Sequence, residues 1–153
     1  MSKIEGRARL LAKMKALPAE VRSAIKQALA EGADEITDMQ KRLVPVKDGD
    51  LRNSIVQTWG AGRVKYSSLN AAAGVGDPDL TVRISAGNSK VRYAHLVEFG
   101  TRPHVNGGKF AGSLHPGTRA QGFFYGPYRA LRKRVKSRIT RATTKAAKKV
   151  AGK

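Results

Sequence analysis

His95 and Glu98 stand three residues apart in the run Tyr93-Ala94-His95-Leu96-Val97-Glu98-Phe99-Gly100-Thr101-Arg102-Pro103-His104, a spacing that sets an imidazole and a carboxylate on one face of a helix. With His104 and His115 they raise a zinc site of the His/Glu kind. The spacing argues against it. No second histidine lies four residues from His95, and the other two fall in a stretch without a defined position, so no standard zinc signature is met. The better reading of Glu98 is structural. Framed by Tyr93, Leu96, Val97 and Phe99, it either pairs with a nearby arginine or caps backbone N–H groups at the Gly100 turn, and so holds the loop that follows.

Other chemistries find less support. Cysteine is absent and there is no Gly-x-Ser-x-Gly elbow, so a nucleophile with an ordered base is not in evidence. Gly74-Val75-Gly76-Asp77-Pro78 is too short and too proline-bound to cradle a phosphate at the start of a helix, and its glycines are expected only to turn the chain. Asp48 and Asp50 supply two acids, far short of a calcium ligand set. The expectation is a protein that is not an enzyme and needs no cofactor.

Charge is the strongest compositional signal. The chain carries 30 basic and 11 acidic residues in 153, a formal charge of +19, which repels like copies and collects polyanions. Nucleic acid and an acidic neighbouring subunit meet that demand equally well. The length fits one domain, 1–153, able to bury roughly 70% of its unfolded surface. Without cysteines the fold rests on packing, as suits a protein made in a reducing cytoplasm. No segment has the apolar length of a signal peptide or a membrane span.

Positioning falls to helices at both ends. Leu10, Leu11, Met14 and Leu17, then Val21, Ile25, Leu29, Ile36, Met39 and Leu43, follow the helical period across residues 3–44. Pro18 marks the first turn of a second helix. Gly32 suggests a bend, since an interior glycine costs about 1 kcal/mol relative to alanine. Pro45 stops the helix and Asp48-Gly49 turns the chain. A strand is expected over Ser54–Trp59, with Gly60-Ala61-Gly62 as a hairpin connection into Arg63–Tyr66. Residues 67–79 read as a mobile loop. Leu80–Ala86 alternates with Leu80, Val82 and Ile84 on one face, the clearest strand in the chain.

Glycines, prolines and histidines interrupt every period from Arg102 to Gly122, giving a long surface loop of functional length. A terminal helix is expected over 128–150, with Leu131, Val135, Ile139, Ala142, Ala146 and Val150 in a stripe. Its basic residues include Arg132, Lys133, Arg134, Lys136, Arg138 and Arg141, with no acid among them. These six are the candidate contacts to DNA or an acidic partner. Base-reading and stacking side chains are scarce on the helix, which favours an acidic protein neighbour over sequence-specific DNA reading. The fold class is therefore α+β: an antiparallel sheet packed against a long N-terminal helix and a basic C-terminal helix, with a long loop.

Three blocks carry a resemblance. Leu43-Val44-Pro45-Val46-Lys47-Asp48-Gly49-Asp50-Leu51-Arg52-Asn53-Ser54-Ile55 resembles an LVPVDTGxLRxSI block, and Tyr93–Thr101 resembles YAxxVEFGT. Gly122–Leu131 is similar to PFLRPAL, with glycine in place of its first proline. These blocks, in this order, resemble those of a minor tail-component family of tailed bacteriophages of the lambdoid, Hong Kong type. The resemblance implies a tail-completion or head-tail joining protein, part of a virion neck, assembled as a closed, six-fold ring. The partners it implies are the head connector or stopper on one side and the tail terminator or tail tube on the other. Non-specific contact with packaged DNA in the channel stays open, and no membrane is involved. On this reading Arg102, Pro103, His104, Phe110 and His115 are the subunit or partner contacts of the long loop, with Glu98 at its base. A tail-terminator ring and a basic nucleic-acid-binding module are the alternatives.

Overall fold

The computed structural model describes residues 17–70, 72–74 and 76–152. The expected helix with Leu10, Leu11 and Met14 lies outside them. Helix α1, Ala19–Leu43, begins directly after Pro18, whose carbonyl accepts the Arg22 N–H at 3.0 Å. It ends where Pro45 holds Val44 in an extended conformation. Gly49, at φ +83°, then turns the chain into α2, Asp50–Asn53.

Helix α1 runs unbroken through Gly32. That glycine serves packing. The terminal helix α4, Tyr125–Val150, crosses there, and a Cβ on Gly32 would stand 2.5 Å from Val135 Cγ1. The crossing is reinforced by Glu35, which takes Arg138 at 2.8 Å and Arg134 at 3.1 Å.

Strand β1, Val56–Trp59, pairs antiparallel with β2, Val82–Ser85, with Val56 opposite Ser85 and Trp59 opposite Val82. The partner expected for β1, Arg63–Tyr66, is not a strand. Tyr66 sits at φ +60°, outside strand geometry, and the Arg83 guanidinium holds the preceding turn by bonds to Gly62 O at 2.6 Å and Ala61 O at 3.3 Å. Two described residues of 67–79, where a mobile loop is expected, are anchored. Leu69 is buried and bridges Ala86, and Asp77 is buried against Arg22.

The main core lies at one end of the sheet. Val44, Leu51, Ile55, Leu69, Ala86, Val91, Ala94, Phe123 and Phe124 form one apolar cluster. It is closed by α3, Ala94–Phe99, which stops at Gly100 with φ +73°. The other end is open. In α4 the only buried residue described is Pro127, so most of its apolar stripe lacks a complete cover.

The span from Arg102 to Gly122 is not an irregular loop. Strands β3, His104–Val105, and β4, Leu114–His115, pair antiparallel around a 3-10 turn at Gly108–Phe110. Thr101 and Thr118 exchange backbone hydrogen bonds at the base, 3.0 and 3.1 Å. This hairpin leaves no periodic mark, because its strands are two residues long, too short for a period to show.

Candidate partner-binding site

Glu98 is 4% exposed, and both its carboxylate oxygens are committed. Phe124 N–H donates to Oε2 at 2.7 Å and Tyr125 N–H to Oε1 at 3.0 Å. These are the first N–H groups of α4, which a helix leaves without internal partners and where its dipole favours negative charge. The carboxylate therefore caps the terminal helix, not the Gly100 turn and not an arginine. Carbonyls at the end of α3 extend the brace: Val97 O accepts from Gln121 N–H at 3.0 Å and Glu98 O from Gly122 N–H at 3.2 Å. The two chain ends of the hairpin are thus fixed to one another and to α4.

From that base the hairpin projects as an arm. Gly100 and Gly117 make its base possible. A Cβ on Gly100 would meet Thr118 O at 2.5 Å, and one on Gly117, at φ +84°, would overlap Thr101 O. The His104 and His115 rings stack across the strands at 4.9 Å. His104 Nδ1 lies 3.0 Å from Arg102 O, and His115 Nδ1 accepts Gly117 N–H at 2.9 Å. Arg102, Pro103, His104 and Phe110 are exposed and His115 is half-buried, so the structure gathers these five sequence candidates on one projection. It adds two that periodicity missed, Val105 and Leu114. With Phe110 these expose 66 to 73% of their surface, an apolar tip rather than scattered single side chains.

The four groups of the zinc reading do not converge. His95 is exposed, Glu98 is spent on the helix cap, and the histidine pair belongs to the arm. Among the described residues no cluster of three or more metal-ligating side chains forms.

The six basic candidates on α4 separate into groups. Arg134 and Arg138 are held by Glu35, and Arg138 also reaches Glu31 at 3.9 Å, so they serve the α1–α4 crossing. Arg132 and Lys136 flank a groove beside the sheet. Lys133 and Arg141 are exposed without a carboxylate within 4.0 Å among the described residues. No Asp or Glu follows Glu98 anywhere in the sequence, so the arm and α4 together form the cationic half of the protein.

Sequence reasoning missed Asp77. Its carboxylate takes Arg22 Nη2 at 2.9 Å and Nη1 at 3.3 Å, and accepts Asp79 N–H at 2.9 Å. The Arg22 bond holds the carboxyl below the usual aspartate range, against the opposing effect of desolvation. The available signal was a pair of acids, Asp77 and Asp79, at the end of a small-residue stretch just before a strand.

A two-stranded sheet, two long helices and a braced, apolar-tipped arm define an α+β fold. Residues 8–100 match the bacteriophage HK97-gp10-like tail-component family, and the chain belongs to that family. It is a tail-related structural protein of a bacteriophage. The match covers α1 through α3 and stops at the foot of the arm, so the arm and α4 lie beyond it. No curated protein and no solved structure matches the chain. No described helix is long and apolar enough to cross a membrane.

Proposed function

We propose that this tail component is an adaptor that closes into a ring in the virion neck and joins the tail to the head connector. The observation that carries this reading is the arm. An isolated domain gains nothing by exposing Val105, Phe110 and Leu114 at the end of a hydrogen-bonded hairpin, whereas a subunit in a ring buries such a tip against its neighbour. The brace from Glu98 to α4 lowers the ordering cost of docking because the arm is already shaped. The positive half of the molecule is then matched by acidic surfaces of adjoining virion proteins.

A tail terminator would share the ring and the arm and differ in the neighbour it caps. Electron microscopy of particles made without the protein separates the two. Tails of normal length that fail to attach to heads support joining; overlong tubes support termination and refute the adaptor role. The nucleic-acid reading draws on Lys133 and Arg141. It requires duplex affinity whose salt dependence weakens by a log-log slope of about 0.9 for each contacting cation removed. Unchanged particle assembly in K133E/R141E, with loss of DNA binding and infectivity, would favour that reading instead.

A further inference from the structure

Beyond Ala86 and the Ile84 carbonyl, the outer edge of β2 has no strand partner among the described residues and faces a groove. Ala86 directs both its N–H and its carbonyl to Leu69, and Ile84 O accepts Asn70 Nδ2 at 2.7 Å, all on the side away from β1. Thr81 O points the other way, to Gly60 N–H at 2.8 Å. Backbone groups alternate sides along a strand, so Val82 and Ile84 both present their backbone to the outer side. Among the described residues no hydrogen bond there reaches the Val82 N–H, the Val82 carbonyl or the Ile84 N–H.

Beyond this edge lies a groove of about 820 Å³ bounded by α1 and α4. Ile36, Val135 and Ile139 give it an apolar floor, and Arg132 and Lys136 flank it; among the described residues no carboxylate lines it. Gln40 also lines it, 1% exposed, with its Nε2 bonded to Phe124 O and its Oε1 left without a partner. A buried acceptor in that state costs free energy until a donor arrives. Edge, floor, flank and orphan acceptor lie around one space.

We propose that this groove receives an extended segment of another protein, which adds a third strand to the sheet beside β2 and carries apolar side chains toward α4 and acidic side chains toward Arg132 and Lys136. Strand addition gives main-chain partners to the Val82 groups and the Ile84 N–H, which no described residue reaches, and leaves specificity to alternate side chains. It also covers the part of α4 that the two-stranded sheet does not reach. The charge of the groove selects the partner. The arm and terminal helix of a second copy are poor occupants, because they contain no acid and would bring like charge to Arg132 and Lys136. The inference does not depend on whether the ring joins or terminates the tail.

The test uses the full-length protein and two six-residue peptides, one alternating valine with glutamate and one alternating valine with lysine, followed by amide NMR shifts. The glutamate peptide is expected to bind at least tenfold more tightly, with the largest shifts at Val82 and Ile84. R132E/K136E, two changes at exposed positions, should reverse the order of the peptides. N-methylation of the glutamate peptide's backbone should abolish binding at the edge. Equal affinity for both peptides, no binding of either, or shifts confined to the outward face near Lys133 and Arg141 would overturn the proposal. So would self-association of the protein through this face, or a cross-link from position 136 to residues 1–16 of the same chain.

Discussion

Substituting alanine at Gly32 sets two effects of opposite sign against each other. In the middle of an exposed helix the change stabilises by about 1 kcal/mol, through backbone entropy. Here the new methyl would stand 2.5 Å from Val135 Cγ1 and 3.3 Å from Cγ2. Valine in a helix has one strongly preferred χ1 rotamer, so it cannot swing away cheaply. Forcing the helices apart also disturbs the Glu35 pairs with Arg134 and Arg138. Overpacking of this kind costs about 1 to 3 kcal/mol, so the net expectation for G32A is a loss of about 1 kcal/mol, or a fall of about 3 °C in Tm. Urea unfolding of G32A, V135A and the double variant reads the coupling directly. In the V135A background the methyl has room, and G32A should then stabilise by up to about 1 kcal/mol. If G32A stabilises the parent protein as much as it stabilises V135A, the helices do not meet at Gly32 and the packing argument fails.

Three further outcomes follow from the same contacts. Glu98→Ala removes two charge-assisted bonds to α4, each worth about 1.5 to 3 kcal/mol, so chemical denaturation should show a loss of about 3 kcal/mol, and a loss below about 0.5 kcal/mol would deny the cap. Asp77, with its pKa depressed by Arg22, contributes stability that is fully present above its unfolded pKa near 3.8 and is lost as pH falls through the folded value. Tm measured from pH 6 downward should therefore fall less steeply in Asp77→Asn than in the parent; parallel curves would contradict the pairing. Gly100→Ala places a methyl 2.5 Å from Thr118 O at a positive φ, so it should weaken protection of the Thr101 and Thr118 amides in hydrogen exchange while the α1 amides keep theirs.

The long helices were legible because their apolar residues recur at the helical period over many turns, and because Pro18 and Pro45 bound α1 on either side. Gly100 was legible as a stop for the same local reason. At Gly32 sequence shows the cost of a glycine within a helix but not the second helix that needs its missing side chain. The pairing of β1 with β2 was hidden by distance along the chain: the nearer candidate, Arg63–Tyr66, has a plausible alternation, and only the left-handed Tyr66 and the reach of Arg83 exclude it. Val82 and Ile84 share a face of β2 as the alternation implied, while Leu80 lies before the strand; yet Val82 and Ile84 are only half-buried while Arg83 and Ser85 are buried, because the groove beside β2 is open. An acid set in an apolar frame pointed to a buried structural role for Glu98. Its partner 26 residues on could not be read from local pattern.

The central claim is that the arm docks on another component of the particle. A photo-reactive phenylalanine analogue at position 110, carried into assembled particles and followed by mass spectrometry of the cross-linked peptides, tests it most directly. The account predicts cross-links from the arm tip to a second copy of the chain or to an adjoining neck protein. Particles that incorporate the protein and yield no cross-link from position 110 would show the arm free in solvent and contradict it.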